Sequence, residues 1–117
     1  MAFNEKLADR VREMLAVTDL HIAEIKMFSG LCFMVNDKMC VGVQLDSMMV
    51  RLNPESYDSS LEKEGCRQMD MAGKIMKGFV LIDDEALQTK KQLSYWINLA
   101  LEYNKIAMPS KKKKKKT

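Results

Sequence analysis

The N-terminal stretch of the chain has the periodicity of an amphipathic helix. Apolar residues recur at intervals of three and four positions, and charged residues fill most of the positions between them. Asn4 stands just before this stretch, where its side chain can accept a hydrogen bond from the first helical turn. The pattern predicts a first helix that begins after Asn4 and buries Leu7, Ala8, Val11, Met14 and Leu15.

The next thirty or so residues have a different texture, with short apolar runs in place of a helical stripe. From Ile22 to Leu52 these runs are separated by turn-forming pairs, at Ser29-Gly30, Asn36-Asp37 and Asp46-Ser47. Apolar runs of this length bounded by Gly, Asn, Asp and Ser are typical of β-strands. The segment therefore predicts four strands in a meander.

The hairpin around Asn36-Asp37 decides which side chains share a face of the sheet. A two-residue loop would pair Val35 with Lys38 and scatter apolar residues over both faces. A loop of three residues, Asn36 to Lys38, pairs Val35 with Met39 and is preferred here. It gathers one apolar face from Leu31, Phe33, Val35, Met39, Val41 and Val43, continued by Met48, Val50 and Leu52.

Helix and strand signals follow in the second half of the chain. Asn53-Pro54 marks a helix start and Gly65 a helix stop, which predicts a short second helix. A second hairpin follows, with strands at Cys66 to Met71 and Ile75 to Ile82 around the turn Ala72-Gly73-Lys74. Thr89 and Gln92 have capping-box spacing, which predicts a last helix with Leu93, Trp96, Ile97, Ala100 and Leu101 on one stripe.

These elements predict an α+β domain in which a two-layer antiparallel sheet of about six strands packs against three helices. The order of elements is α-β-β-β-β-α-β-β-α. A chain of 117 residues is long enough for one such domain to bury a core without disulfides or metals. We expect the domain to occupy residues 1–109, and residues 110–117 to form a disordered polylysine tail.

The net charge of +3 is misleading until the tail is set apart. Six of the nineteen basic residues form the run Lys111, Lys112, Lys113, Lys114, Lys115 and Lys116. The remainder has 13 basic against 16 acidic residues and is therefore net acidic. Any affinity for nucleic acid is expected to be weak, non-specific and confined to the tail, unless the tail serves only solubility.

Candidate chemistry is sparse. His21 is the single histidine, and the three cysteines form no C-x-x-C pair, so we expect reduced thiols and no zinc site. The triplet Asp83-Asp84-Glu85 lacks the alternating oxygen ligands of a calcium loop. No catalytic residue, cofactor or metal is expected. The N-terminus has no secretory signal and no apolar run reaches membrane-spanning length, so we expect a cytoplasmic protein.

One predicted surface does suggest binding. The sheet face opposite the apolar face has few charges for a surface that stays wet, and methionine adapts well to partner surfaces. Its members are Cys32, Met34, Cys40, Gly42, Gln44, Met49 and Arg51. This face is either an interface for another protein or a second copy, or it is covered by the protein's own elements.

Three stretches of the chain resemble the N-terminal domain family of the TfoX/Sxy competence regulators. They are Lys26-Met27-Phe28-Ser29-Gly30 continuing to Asn36, Met48 to Leu52, and Met69-Asp70-Met71-x-Gly73-Lys74-x-Met76-Lys77-Gly78-Phe79-Val80. The closing pattern is Leu93-x-x-Trp96-x-x-Leu99-Ala100. Ser29 stands where the family usually has glycine. The resemblance implies a stand-alone two-layer α+β domain, known from regulators of bacterial DNA uptake, with no enzyme activity.

We therefore expect a non-enzymatic regulatory or adaptor domain that acts by protein contact. The alternative is a small enzyme or ligand-binding protein with a pocket between the sheet and the helices.

Overall fold

The fold has the predicted order of elements. A computed structural model describes residues 3–27, 30–71 and 73–107 of the chain. Ser29 and Ala72 of two predicted turns lie outside these residues, as does the predicted tail at 110–117. The helices are α1 (Glu5–Ala16), α2 (Pro54–Leu61) and α3 (Lys90–Asn104). The strands are β1 (Ile22–Met27), β2 (Gly30–Val35), β3 (Lys38–Gln44), β4 (Ser47–Arg51), β5 (Cys66–Met71) and β6 (Lys74–Asp83).

The six strands form one open antiparallel sheet in the order β1-β2-β3-β4-β6-β5. The first four strands are a meander, and α2 carries the chain across to the second hairpin. Strand β6 then pairs with β4, with Met48 opposite Ile82, and leaves β5 at the edge. The predicted α+β class and element order are confirmed.

Each predicted helix start carries its predicted cap. The side chain of Asn4 accepts a hydrogen bond from the Leu7 amide at 3.0 Å, and that of Asn53 accepts one from the Glu55 amide at 2.9 Å. Thr89 and Gln92 form a reciprocal capping box at the start of α3. These bonds satisfy backbone donors that have no partner within a helix.

The main hydrophobic core lies between the helices and one face of the sheet. Its buried members include the apolar stripes of α1 and α3 together with inward-facing strand residues. Burial of each large aliphatic side chain contributes about 1.5–3 kcal/mol relative to leaving it in water. The largest fully buried side chains on this side include Leu7, Leu15, Phe33, Met48, Leu52, Ile82, Leu87, Leu93 and Ile97.

The loop between β2 and β3 has two residues, so the predicted three-residue loop is wrong. Val35 pairs with Lys38, and Met34 with Met39. Asn36 and Asp37 form the turn with φ angles of 53° and 68°. Positive φ at both central residues is the geometry of a type I′ turn, whose twist matches that of the flanking strands. Asn and Asp tolerate it better than most residues.

A β-bulge reconciles the short loop with an apolar face. The register shifts between Phe33 and Met34, so that Phe33 pairs with Val41 and Met34 with Met39. Cys40 is the extra residue, and a bulge of this kind resets which side chains share a face. Val41 therefore reaches the helix side as predicted. Met39 and Cys40 do not match the prediction, because Met39 packs on the opposite face and Cys40 is buried in the main core.

The two-residue loop can be tested by moving a glycine along it. Asp37→Gly is expected to stabilise the fold by about 0.5 kcal/mol, because glycine adopts positive φ without strain. Lys38→Gly is expected to cost about 0.5–1 kcal/mol, because Lys38 is a paired strand residue. Urea unfolding followed by circular dichroism measures both. A stabilising Lys38→Gly together with a destabilising Asp37→Gly would favour the three-residue loop instead.

Candidate functional site

Most of the predicted interface residues lie on the sheet face away from the helices, but they are buried there. Cys32, Met34 and Met49 are 2%, 9% and 3% exposed, and they pack with Met69 and Leu81 in a second hydrophobic cluster. Side chains this deeply buried present little area to a partner. Their role as an interface stays a prediction. In the described part of the chain, these three residues have little surface that a partner could contact.

The second hairpin provides the cover on this face. Two strands separate β5 from β3 in the sheet, yet Met69 of β5 and Gly42 of β3 line the same cavity of about 10 Å³. The hairpin must therefore curve over the face. A register shift between Gln68 and Asp70 and a φ of 91° at Gly78 mark where its two strands depart from regular geometry, and such irregularities bend a strand.

Of the remaining predicted interface residues, Cys40 and Arg51 lie apart from this cluster and Gln44 lies beside it. Cys40 is on the helix side, inside the main core. The guanidinium of Arg51 lies over two rings, 5.8 Å from the centroid of Phe79 and 5.6 Å from that of Tyr103. Gln44 is half-buried at the end of β3, opposite Ser47, and lines the same cavity as Cys32, Gly42 and Met49. The predicted set therefore does not form one continuous surface, and Lys111 to Lys116 lie outside the described residues.

The candidate chemical groups are held in structural roles. Asp83 accepts a hydrogen bond from Arg67 Nε at 2.9 Å and one from Ser47 Oγ at 3.3 Å. Asp84 begins the short 3-10 turn Asp84–Leu87 that leads to α3. Within the described residues, no group of three or more His, Cys, Asp and Glu side chains is placed to hold a metal ion.

The thiols are kept in their neutral form by burial. Desolvation raises the pKa of Cys32 to about 11 and that of Cys40 to about 12. Burial, with a smaller contribution from the nearby Asp83 carboxylate, also raises the pKa of Cys66 to about 11. Because the thiolate is the nucleophile, these thiols are poorly suited to nucleophilic catalysis at neutral pH.

A partly apolar groove between α1 and α3 was not predicted from the sequence. It encloses about 640 Å³, and Val17, just after α1, is 85% exposed at its edge. Its accessible apolar lining comes from Met14, Val17 and Leu101, and Leu93 and Ile97, which are 1% and 2% exposed, also border it. The apolar stripes of the two helices predicted that Met14 and Leu101 lie in the core. The width of those stripes was the only feature of the sequence that could have indicated apolar surface beyond the core. How far apart the two helices lie is a tertiary property.

The two walls of the groove are each anchored to the sheet. Arg12 of α1 donates to both carboxylate oxygens of Glu24 on β1, at 2.6 and 2.9 Å, and this contact lowers the pKa of Glu24. At the end of α3, the Asn104 side chain donates to Val35 O at 3.1 Å, and Asn104 O accepts from Lys38 Nζ at 2.8 Å. Each helix thus has polar contacts with the sheet, and the two helices also share the main core.

Charged residues mark one end of the groove. Arg10 Nη2 lies 3.5 Å from Gln88 O, just before α3, and Lys90 is the first residue of that helix. The N-terminal end of a helix adds a positive partial charge. Glu13 is the acidic residue in the groove lining. The groove therefore combines apolar residues with the polar Thr18, Ser94 and Asn98, and it is net cationic at the end where α3 begins.

The burial of the thiols predicts their reactivity. In the folded protein at pH 7.5, we expect Ellman's reagent to modify Cys66 first, since it is only partly buried, and Cys32 and Cys40 much more slowly. Unfolding in guanidinium chloride should make all three react at similar rates. Peptide mapping after timed quenching measures the order. Rapid modification of Cys32 or Cys40 in the folded state would contradict their placement.

None of the helices in the described part of the chain has the length and hydropathy needed to span a membrane.

Comparison with known proteins identifies the family of the chain. Neither the curated proteins nor the solved structures include a match to this chain. The family model of the TfoX N-terminal domain matches residues 20–103, which include all six strands and almost all of α3. The chain belongs to the TfoX N-terminal domain family.

Proposed function

We propose that the chain is a regulatory domain that acts by binding a partner protein in the groove between α1 and α3. The observation that carries the proposal is the groove itself, which has a volume of about 640 Å³ and has Val17 exposed at its edge. Contiguous apolar surface on a soluble domain marks sites of interaction. The family is that of competence-regulator-like domains and is not known as an enzyme family.

The shape of the groove suits an amphipathic helix. Its α3 wall runs from Lys90 to Leu101, which corresponds to about 16 Å, or three helical turns. Recognition of this kind places apolar residues at positions i, i+3, i+4 and i+7 of the partner into the groove. The cationic end at Arg10 and Lys90 favours an acidic side chain at the corresponding end of the partner.

The described residues give no support to the alternative of a small enzyme or ligand-binding protein with a pocket between sheet and helices. That space is filled by the main core. A separate open cleft of about 970 Å³ lies where α2 ends and α3 begins. Two of the six charged residues that line it have partners, since Lys63 lies over the Tyr95 ring and Asp83 is paired with Arg67.

The groove can be tested with synthetic helical peptides of about twelve residues that carry apolar residues at i, i+3, i+4 and i+7. One set of peptides has glutamates at both ends, and the other set has lysines at the same positions. We expect the glutamate peptides to bind more tightly, and Val17→Glu to weaken their binding at least about tenfold, because a carboxylate would be desolvated against apolar surface. Fluorescence polarisation measures affinity, and amide shift mapping locates the site.

Ile106→Glu is the matched control, because Ile106 is 67% exposed and is not among the groove residues. It should change peptide affinity less than twofold. Equal loss in both variants, or shifts that map away from α1 and α3, would contradict the proposed site. Failure of every peptide to bind at millimolar concentration would contradict a helical partner.

For the tail, we propose a loose affinity for nucleic acid. Deletion of Lys111 to Lys116 removes six positive charges from an otherwise acidic chain. The deletion is expected to abolish retention of a random DNA duplex at low salt and to leave unfolding and peptide binding unchanged, since charge neutralisation alone would hold the DNA. A truncated protein that still bound DNA at physiological salt would show that the folded domain contributes.

A further inference from the structure

Sulfur is concentrated on one side of the sheet. The cluster on the face away from the helices consists of five buried and four partly buried residues, and six of these nine carry sulfur. The helix-side cluster, counted in the same way, contains four sulfur residues, Met14, Cys40, Met48 and Cys66, among 21 buried and eight partly buried members. Methionine used only as filler would be expected on both sides. The six are Cys32, Met34, Met39, Met49, Met69 and Met76.

A cavity lies among these side chains. It holds about 10 Å³, room for one small occupant, and Cys32, Met49 and Met69 are the sulfur residues that line it. Gly42 also lines it, and a β-carbon at that position would lie 3.4 Å from the terminal methyl of Met49. A fourth sulfur is adjacent, since Cys32 Sγ lies 4.0 Å from Met34 Sδ.

The donor chemistry of this cavity is soft. Thiolate and thioether ligands select Cu(I) over hard cations such as Mg²⁺ and Ca²⁺, which take oxygen. A monovalent ion bound to one thiolate is neutral as a unit. Its transfer to an apolar site therefore costs far less than burial of an uncompensated charge.

We propose that the sulfur cluster is a site for one soft monovalent metal ion of the Cu(I) class, held by the Cys32 thiolate and the thioethers of Met49 and Met69. Binding forms the metal–thiolate bond and releases the Cys32 thiol proton to solvent. The ion enters beside Gln44, the half-buried residue of the cavity lining. This site lies on the opposite side of the sheet from the groove and does not depend on the proposed function.

The test is anaerobic competition for Cu(I) between the full chain and a chromophoric Cu(I) chelator. We expect one tightly bound equivalent per chain, with affinity that rises with pH because a proton is displaced. Met49→Leu and Met69→Leu preserve volume and should leave the fold intact. Each is expected to weaken binding at least about tenfold, since even outer-sphere changes cost about 10–100-fold in metal affinity.

Met48→Leu is the matched control, because Met48 is as deeply buried but belongs to the helix-side cluster. It should change affinity less than twofold. Cys32→Ala should abolish the tight equivalent, and X-ray absorption of the copper-loaded protein should show about three sulfur neighbours. Undiminished binding in the Met49→Leu, Met69→Leu double variant would overturn the proposal. So would loss of binding in Cys66→Ala, because that would place the ion on the partly buried thiol.

Discussion

The structure depends on a sheet that is apolar on both faces and must therefore be covered on both. Helices α1 and α3 with their neighbours bury one face, and the second hairpin curves over the other to bury Cys32, Met34 and Met49. Apolar surface left in water on either face would forgo about 25 cal/mol for each Å². The bulge at Cys40 and the bend near Gly78 are the local irregularities that let one sheet meet both demands.

The two coverings differ in how completely they close. On the hairpin side, buried sulfur side chains leave a cavity of about 10 Å³. On the helix side, α1 and α3 are each anchored to the sheet by polar contacts at Glu24 and Val35, and the space between them stays open as a partly apolar groove. Residues of both helices also belong to one core cluster, which fixes their positions on either side of the groove. The open groove makes the helix layer the face on which a partner would find accessible apolar surface.

Burial also decides the chemistry of the chain. A thiol removed from water holds its proton, which is why Cys32 and Cys40 are poor nucleophiles although cysteine is intrinsically reactive. The same apolar surroundings impose a smaller free-energy cost on a soft cation bound to a thiolate, because the two charges cancel. Burial of a thiol thus disfavours its use as a nucleophile without excluding it as a ligand for a soft cation.

Local signals in the sequence determined much of the fold. The caps at Asn4, Asn53 and Thr89 and the apolar stripes of the helices act within a few residues, so class, element order and most of the helix-side core could be predicted. The hairpin loop could not, because Asn36 and Asp37 suit a type I′ turn only if a bulge at Cys40 corrects the register further along the strand. The packing of the second hairpin over the face away from the helices, and the distance between α1 and α3, depend on contacts between segments that are distant in sequence. Only the tertiary structure decides these, since the free energy that selects them comes from packing between elements and leaves no periodic pattern in either one.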